Sequence, residues 1–265
     1  MKIVRFIDAR GRTCWGSQTI DGEAEVLSGD PVRGLEPTGE RCAIGKLLCP
    51  VDPPALLCIG LNYRDHAAET GQVLTARPVV FMKNPAALQH PGDPILLPRS
   101  MVERPEADYE VELAVVIGHA AKGVSRADAL SHVLGYSVAN DVSARRLQKE
   151  GRQWVRGKSV DTFCPLGPAL ATPDEVPDPQ ALSLETRLNG EVMQRSSTAE
   201  MIFSVAELIA DLSREMTLLP GTIILTGTPA GVGFTRTPPV FLKPGDELEL
   251  TIDGIGTLRN PVRAA

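Results

Sequence analysis

The sequence predicts a strand-rich chain with few helices, built as a small N-terminal β unit followed by a larger domain. Three observations predict this. Short runs that alternate in polarity, or become wholly apolar, recur from Lys2 to Asp8, Ala55 to Leu61, Pro78 to Lys83, Asp108 to Gly118, Tyr136 to Ser143, Leu182 to Asn189 and Thr222 to Thr226. Turn signals separate them, among them Asn189-Gly190 and Asp253-Gly254, which suit tight hairpins. The best helical periodicity is carried by Ile202, Val205, Ile209, Leu212 and Met216, a stripe that reads as core packing.

The N-terminal unit begins with Lys2 to Asp8, turns at Ala9-Arg-Gly-Arg12 and returns over Thr13 to Gln18. Gly and Pro then punctuate Leu27 to Gly39. Consecutive prolines in Val51-Asp-Pro-Pro54 suit a stiff boundary, which divides the chain into residues 1–52 and 53–265. Beyond it, Asn62 is an N-cap candidate with Asp65 three residues on, and Gly71 a helix stop; the helix between them is barely two turns. Ser125 to His132 reads as a short helix, and Ser197-x-x-Glu200 as the capping box that starts the long one. No internal repeat or low-complexity tract appears.

Composition narrows the classes of function. With 265 residues, 43% hydrophobic and 23% charged, the chain has the make-up of an ordinary globular protein. A net charge of -6 and a pI near 5.3 argue against nucleic-acid or anionic-membrane partners. No apolar run reaches the roughly 18 residues of a spanning helix, and Asp8 comes too early for a secretory apolar segment. Five Cys without a C-x-x-C pair suggest reduced thiols and a cytoplasmic location, with no chemistry assigned to them.

The chemistry-bearing stretch is Asp108-Tyr-Glu-Val-Glu-Leu-Ala-Val-Val-Ile-Gly118. Strand side chains two apart point the same way, so Glu110 and Glu112 share a face with Ala114 and Val116, which belong to an interior. Paired carboxylates near a core cost several kcal/mol per ion unless compensated. A divalent cation would compensate them, and all-oxygen donors select a hard ion such as Mg²⁺, Mn²⁺ or Ca²⁺. A solvated strand end, or pairing with Arg, fits the same spacing. Asp141, at the end of the Tyr136–Ser143 strand, is a candidate third ligand or, equally, a turn cap.

His66 and Glu69 lie three apart on one helical face, so the carboxylate can orient the imidazole and raise its basicity; an exposed pair would do neither. Arg145 and Gln148 project together, and Arg145 suits a substrate carboxylate unless it is a surface residue. Lys158, if held inside, would stabilise an oxyanion or enolate. The loop Gly227-Thr-Pro-Ala-Gly-Val-Gly233 lacks both the dinucleotide glycine order and the P-loop ending, but offers N–H groups and the Thr228 hydroxyl to an anion.

In that order, Gly60-Leu-Asn-Tyr-Arg-Asp-His66 with Glu69, Phe81-Met-Lys83, Tyr109-Glu-Val-Glu-Leu113, Asn140-Asp-Val-Ser-Ala-Arg145 with Gln148, Gly157-Lys-Ser159, Asn189-Gly-Glu191 and Thr226-Gly-Thr-Pro-Ala-Gly-Val-Gly233 resemble the fumarylacetoacetate hydrolase family. The resemblance spans roughly residues 55 to 262. It implies a β-rich α+β fold with a folded-over mixed β-sheet (β-roll) core, a small β-rich N-terminal domain and a homodimer. It further implies Mg²⁺ at Glu110, Glu112 and Asp141, with His66 and Glu69 as a water-activating dyad on a lid. Lys158 would assist catalysis, and Arg145, Gln148 and Thr228 would bind substrate. Asn84 and Arg146 depart from the common pattern, the latter adding positive charge near the pocket.

The chemistry implied first is Mg²⁺-dependent hydrolysis of a C–C bond in an acylpyruvate or related β-diketo acid, through an enolate leaving group. The alternative is a decarboxylase, isomerase or lyase on a related 2-oxo acid such as oxaloacetate, 2-oxo-heptenedioate or a sugar-acid derivative, since these reactions share the enolate. A metal-stabilised binding protein without turnover ranks third.

Overall fold

The structure, a computed structural model, describes residues 1–18 and 22–265. It is β-rich, with short helices, and two mixed sheets carry the architecture. The larger sheet has 12 strands. From its middle to one edge run Cys164–Ala171, Val133–Asn140, Val111–Ile117, Ile223–Leu225, Leu56–Gly60 and Val79–Lys83, side by side in that order. Most pairs are antiparallel, but Ile223–Leu225 runs parallel to Leu56–Gly60. The second sheet has five strands, ordered Glu191–Ser197, Ser183–Leu188, Glu247–Ile252, Gly256–Ala264 and Ile95–Leu97.

Alternation along Val111–Ile117 shows how the sheets are placed. Val111, Leu113, Val115 and Ile117 join Leu184, Leu188, Leu248, Leu250 and Leu258 in one core, which glues the two sheets together. Ala114 and Val116 point the other way, into a second cluster with Cys58, Leu166, Ile223 and Leu225. Glu110 and Glu112 continue this second face beyond the apolar part of the strand. Both expected hairpins form: Asn189 and Gly190 take φ values of 53° and 83°, and Gly254 turns Glu247–Ile252 into Gly256–Ala264.

The N-terminal strands extend the larger sheet. Lys2–Ile7 pairs antiparallel with Cys164–Ala171, a segment whose two prolines disguise it as a loop in the sequence. The ladder to Val133–Asn140 shifts register between Tyr136 and Val138, so Pro168 falls where a missing N–H costs no ladder bond. Leu27 to Gly39, punctuated by Gly and Pro, is likewise mostly strand: Glu23–Asp30 and Gly34–Ala43 pair antiparallel.

Two helix starts differ from expectation. Ser197 caps only the 3₁₀ turn Thr198–Glu200. The chain then runs extended, because Ile202 N–H bonds Asn62 O and Phe203 N–H bonds the Asn62 side chain. The long helix is Val205–Ser213, started by a second capping box, Ser204 with Glu207. Val205, Ile209 and Leu212 are buried as the stripe requires, whereas Met216 lies beyond the helix and is 41% exposed. Asn62 does not cap the helix Arg64–Thr70, since its amide is occupied by Phe203 and Thr226; Tyr63 stands at the N-cap, and Gly71 ends the helix in the left-handed region. Ser125 to His132 forms a 3₁₀ turn over Ala129–His132.

Candidate active site

Sheet register assembles the acidic cluster. Val111 faces Asn140 and Glu112 faces Ala139 across the ladder, so Glu110 stands opposite Asp141 on one sheet face. Asp141 N–H bonds Glu110 O at 2.9 Å, and the Asn140 side chain accepts Glu110 N–H at 3.0 Å. Carboxylate oxygens of Glu110, Glu112 and Asp141 lie within 4.8 Å of one another, and all three residues are buried.

Cations surround this cluster without covering it fully. Lys158 Nζ donates to Glu110 Oε2 and Asp141 Oδ2, each at 2.7 Å, and Lys83 Nζ to Asp141 Oδ1 at 2.6 Å. Arg145 lies 2.7 Å from Glu110 Oε1 and 2.8 Å from Asp108 Oδ2. Glu112 has no ion-pair partner among the described residues and accepts from Gly227 N–H at 2.7 Å. Buried Asp108, Glu110, Glu112 and Asp141 thus face Lys83, Arg145 and Lys158, so ionising all four carboxyls would leave one negative charge in excess. Burial, then repulsion from Asp141 and Glu110, drives the Glu112 carboxyl well above its ordinary pKa. Burial would raise Glu110 too, but Lys158 and Arg145 bring it down to about 2. A clustered set of hard oxygen donors, one of which cannot ionise without a further positive charge, fits a divalent cation.

The dyad lies on the same cavity. Glu69 Oε2 is 3.1 Å from His66 Nδ1, while Oε1 accepts from Gly231 N–H at 3.0 Å and Thr235 Oγ1–H at 2.8 Å. Burial opposes ionisation of Glu69, but the His66 contact and these donors lower its pKa overall. An ionised carboxylate can only accept, so Nδ1 carries a proton, which in the neutral ring places the lone pair on Nε2. The short helix is clamped at its start: Arg64 donates to Met201 O, and Ser196 to Asp65 Oδ2, each at 2.7 Å.

A cavity of about 380 Å³ is lined by His66, the three carboxylates, Arg145, Gln148, Lys158 and Thr228. Every candidate residue but Glu69, which stands behind His66, therefore borders one space. The glycine loop serves the site differently from expectation. Its three glycine N–H groups are committed to carboxylates of the chain itself: Gly227 bonds Glu112, Gly231 bonds Glu69, and Gly233 bonds Asp108 at 2.7 Å. Close approach requires glycine here, since a Cβ on Gly233 would lie 1.8 Å from Val240 O. Arg145 is likewise engaged by Asp108 and Glu110, and Nη1, which donates to Gln148 Oε1 at 3.2 Å, is its remaining edge. Arg146 pairs with Glu106 and Glu150, so its charge is neutralised outside the cavity lining.

Several contributors escape sequence reading. Gln194, inside Glu191–Ser197, accepts from Val111 N–H and Thr186 and donates to Thr228 Oγ1 at 2.8 Å, leaving the Thr228 proton for the cavity. Asp108 orients Arg145, and Lys83 binds Asp141; both stand inside recognisable motifs, which was the available signal. Gly157 sets Lys158. A Cβ there would lie 2.5 Å from Gln148 N and 2.8 Å from Ala144 O, both backbone atoms. Gly157→Ala should therefore separate the helices Arg145–Glu150 and Val155–Lys158 and cost about 1–3 kcal/mol. An unchanged urea midpoint would refute this packing.

A folded mixed sheet whose strands end in a carboxylate cluster able to hold a cation, with a His–Glu pair at the same cavity, has the make-up of an enzyme active site. The particular family follows from comparison. The profile described as fumarylacetoacetate (FAA) hydrolase C-terminal matches residues 55–263, and the one described as Rv2993c-like, N-terminal, matches residues 1–50. The chain is 48% identical to the mitochondrial oxaloacetate tautomerase fahd2 of Xenopus laevis, over 82% of this chain and 68% of that protein. The crystal structure of 5-carboxymethyl-2-hydroxymuconate delta-isomerase from Mycobacterium smegmatis superposes with a TM-score of 0.87 at 37% identity, covering 100% of both chains. Fumarylacetoacetate hydrolase from Exiguobacterium antarcticum gives 0.89 at 39%, again covering 100% of both. The chain belongs to the fumarylacetoacetate hydrolase family of enzymes. Among the described residues no helix is long and apolar enough to cross a membrane, and all five thiols are free.

Proposed function

We propose that this chain catalyses keto–enol tautomerisation of oxaloacetate or a related 2-oxo dicarboxylic acid, with Mg²⁺ at Glu110, Glu112 and Asp141. The observation that carries the reading is a proton-accepting nitrogen and a carboxylate cluster lining one cavity. The 48% identity to a protein named an oxaloacetate tautomerase supports it over C–C hydrolysis.

Each residue has a task. His66 Nε2 takes the C3 proton of the keto acid, and the C3–H electron pair becomes the C2=C3 bond. Glu69 holds Nδ1–H throughout and stabilises the imidazolium that forms. The proton then passes from Nε2 to the C2 oxygen, whose carbonyl π pair forms the new O–H bond. Two Lys158 donors are engaged by Glu110 and Asp141, and the third remains for the developing oxyanion. The Thr228 hydroxyl and the Gln148 amide orient the acid. When bound, the divalent ion supplies Lewis-acid neutralisation of the enolate charge.

The same dyad would also serve to deprotonate water, so acylpyruvate hydrolysis stands as the second reading, favoured by the firm Glu69 support. Ultraviolet assays with Mg²⁺ separate the two. Tautomerisation predicts faster decay of enol-oxaloacetate absorbance and no two-acid products from acylpyruvates. Acylpyruvate cleavage with unaltered oxaloacetate interconversion would overturn the proposal in favour of hydrolysis.

A further inference from the structure

We infer that Lys149 is a specificity-determining residue that holds the remote carboxylate of a dicarboxylic substrate at the cavity mouth; this rests on the 2-oxo acid reading above. Four basic side chains line the cavity: His66, Arg145, Lys149 and Lys158. Three have acidic partners, since His66 meets Glu69, Arg145 meets Asp108 and Glu110, and Lys158 meets Glu110 and Asp141. Lys149 alone has no carboxylate partner among the described residues, and its Nζ lies 5.7 Å from the centroid of the Phe234 ring, which also borders the cavity. That ring takes the Arg145 guanidinium at 4.4 Å, so one aromatic links the buried cluster to the exposed ammonium.

Charge accounting points the same way. With all four carboxyls ionised, as a bound cation would require, the cluster carries one surplus negative charge, so a divalent ion would leave it one positive charge in excess. That suits a single carboxylate at the head of the substrate. A second carboxylate needs a further cation, and Lys149 is the uncommitted one on the cavity wall. Arg146, the adjacent cation, is already neutralised by Glu106 and Glu150.

Two ligands differing only at the remote end test this without enolisation: 2,2-dimethyl-3-oxosuccinate, whose retention of CO₂ is checked by mass after each titration, and trimethylpyruvate, in which methyl replaces that carboxylate. Neither has an enolisable hydrogen. Isothermal titration calorimetry with the Mg²⁺-supplemented protein should show Lys149→Gln weakening the dicarboxylate about 2- to 5-fold, the upper range for an exposed ion pair, and trimethylpyruvate less than about 1.5-fold. Lys149→Glu should weaken the dicarboxylate further, while Lys122→Gln, whose ammonium contacts Glu215 O far along the chain, should change neither. Equal losses for both ligands, or an unaltered dicarboxylate affinity, would overturn the inference. Selective loss in a protein that leaves oxaloacetate unchanged would sustain Lys149 recognition and sink the tautomerase reading alone. A wild-type protein that binds neither ligand would overturn both.

Discussion

Glu112→Gln is expected to abolish the response to Mg²⁺ while raising the melting temperature of the metal-free protein. The two effects have one cause. Glu112 is buried, receives one backbone N–H and has no ion-pair partner among the described residues, so ionising it would give the cluster its surplus charge. Gln keeps the shape and removes the titration: the raised pKa of Glu112 costs the fold stability as pH rises above the ordinary carboxyl range, where the unfolded chain ionises freely, and Gln abolishes that cost. It also removes a hard ligand, so Mg²⁺ should no longer stabilise the fold by mass action; at 100 times the dissociation constant that stabilisation is about 2.7 kcal/mol in the wild type. Calorimetry with and without Mg²⁺ checks both halves. A variant that melts lower than the wild type without metal, or keeps its Mg²⁺ shift, would contradict the charge count.

His66→Ala should lower turnover about 10²- to 10⁴-fold, the usual contribution of a positioned general base. The Mg²⁺-induced rise in melting temperature should persist, because the imidazole pairs with Glu69 and none of its hydrogen bonds reaches the carboxylate cluster. Rates at saturating substrate, together with metal-dependent melting, separate loss of the base from collapse of the site. Wild-type turnover in this variant would remove His66 from the chemistry, and a lost Mg²⁺ response would show that it supports the metal cluster.

The central part of the site was legible in the sequence because its geometry is local. Two residues on a strand share a face, and two residues three apart on a helix can meet; these periodicities place Glu110 with Glu112 and His66 with Glu69 before any tertiary contact exists. Asp141 required the ladder, since only register sets it opposite Glu110. The contributors that stayed hidden act across the fold. Gln194 lies 83 residues from Val111 and 34 from Thr228, which it joins. Lys83 reaches Asp141 from 58 residues away.

The misplaced helix start is instructive for the same reason. Ser197-x-x-Glu200 and Ser204-x-x-Glu207 are equivalent local signals, and pairing of Met201 and Ile202 with Tyr63 and Asn62 selects the second. Cys164–Ala171 was obscured by its prolines. A register shift in its neighbour accommodates Pro168, a tertiary device with no local mark.

Mn²⁺ soaked into crystals and located by anomalous scattering gives the most direct test. The predicted result is one peak within about 2.3 Å of an oxygen from each of Glu110, Glu112 and Asp141, abolished in Glu112→Gln. A cluster still closed by Lys158, with no peak between these carboxylates at saturating Mn²⁺, would contradict it.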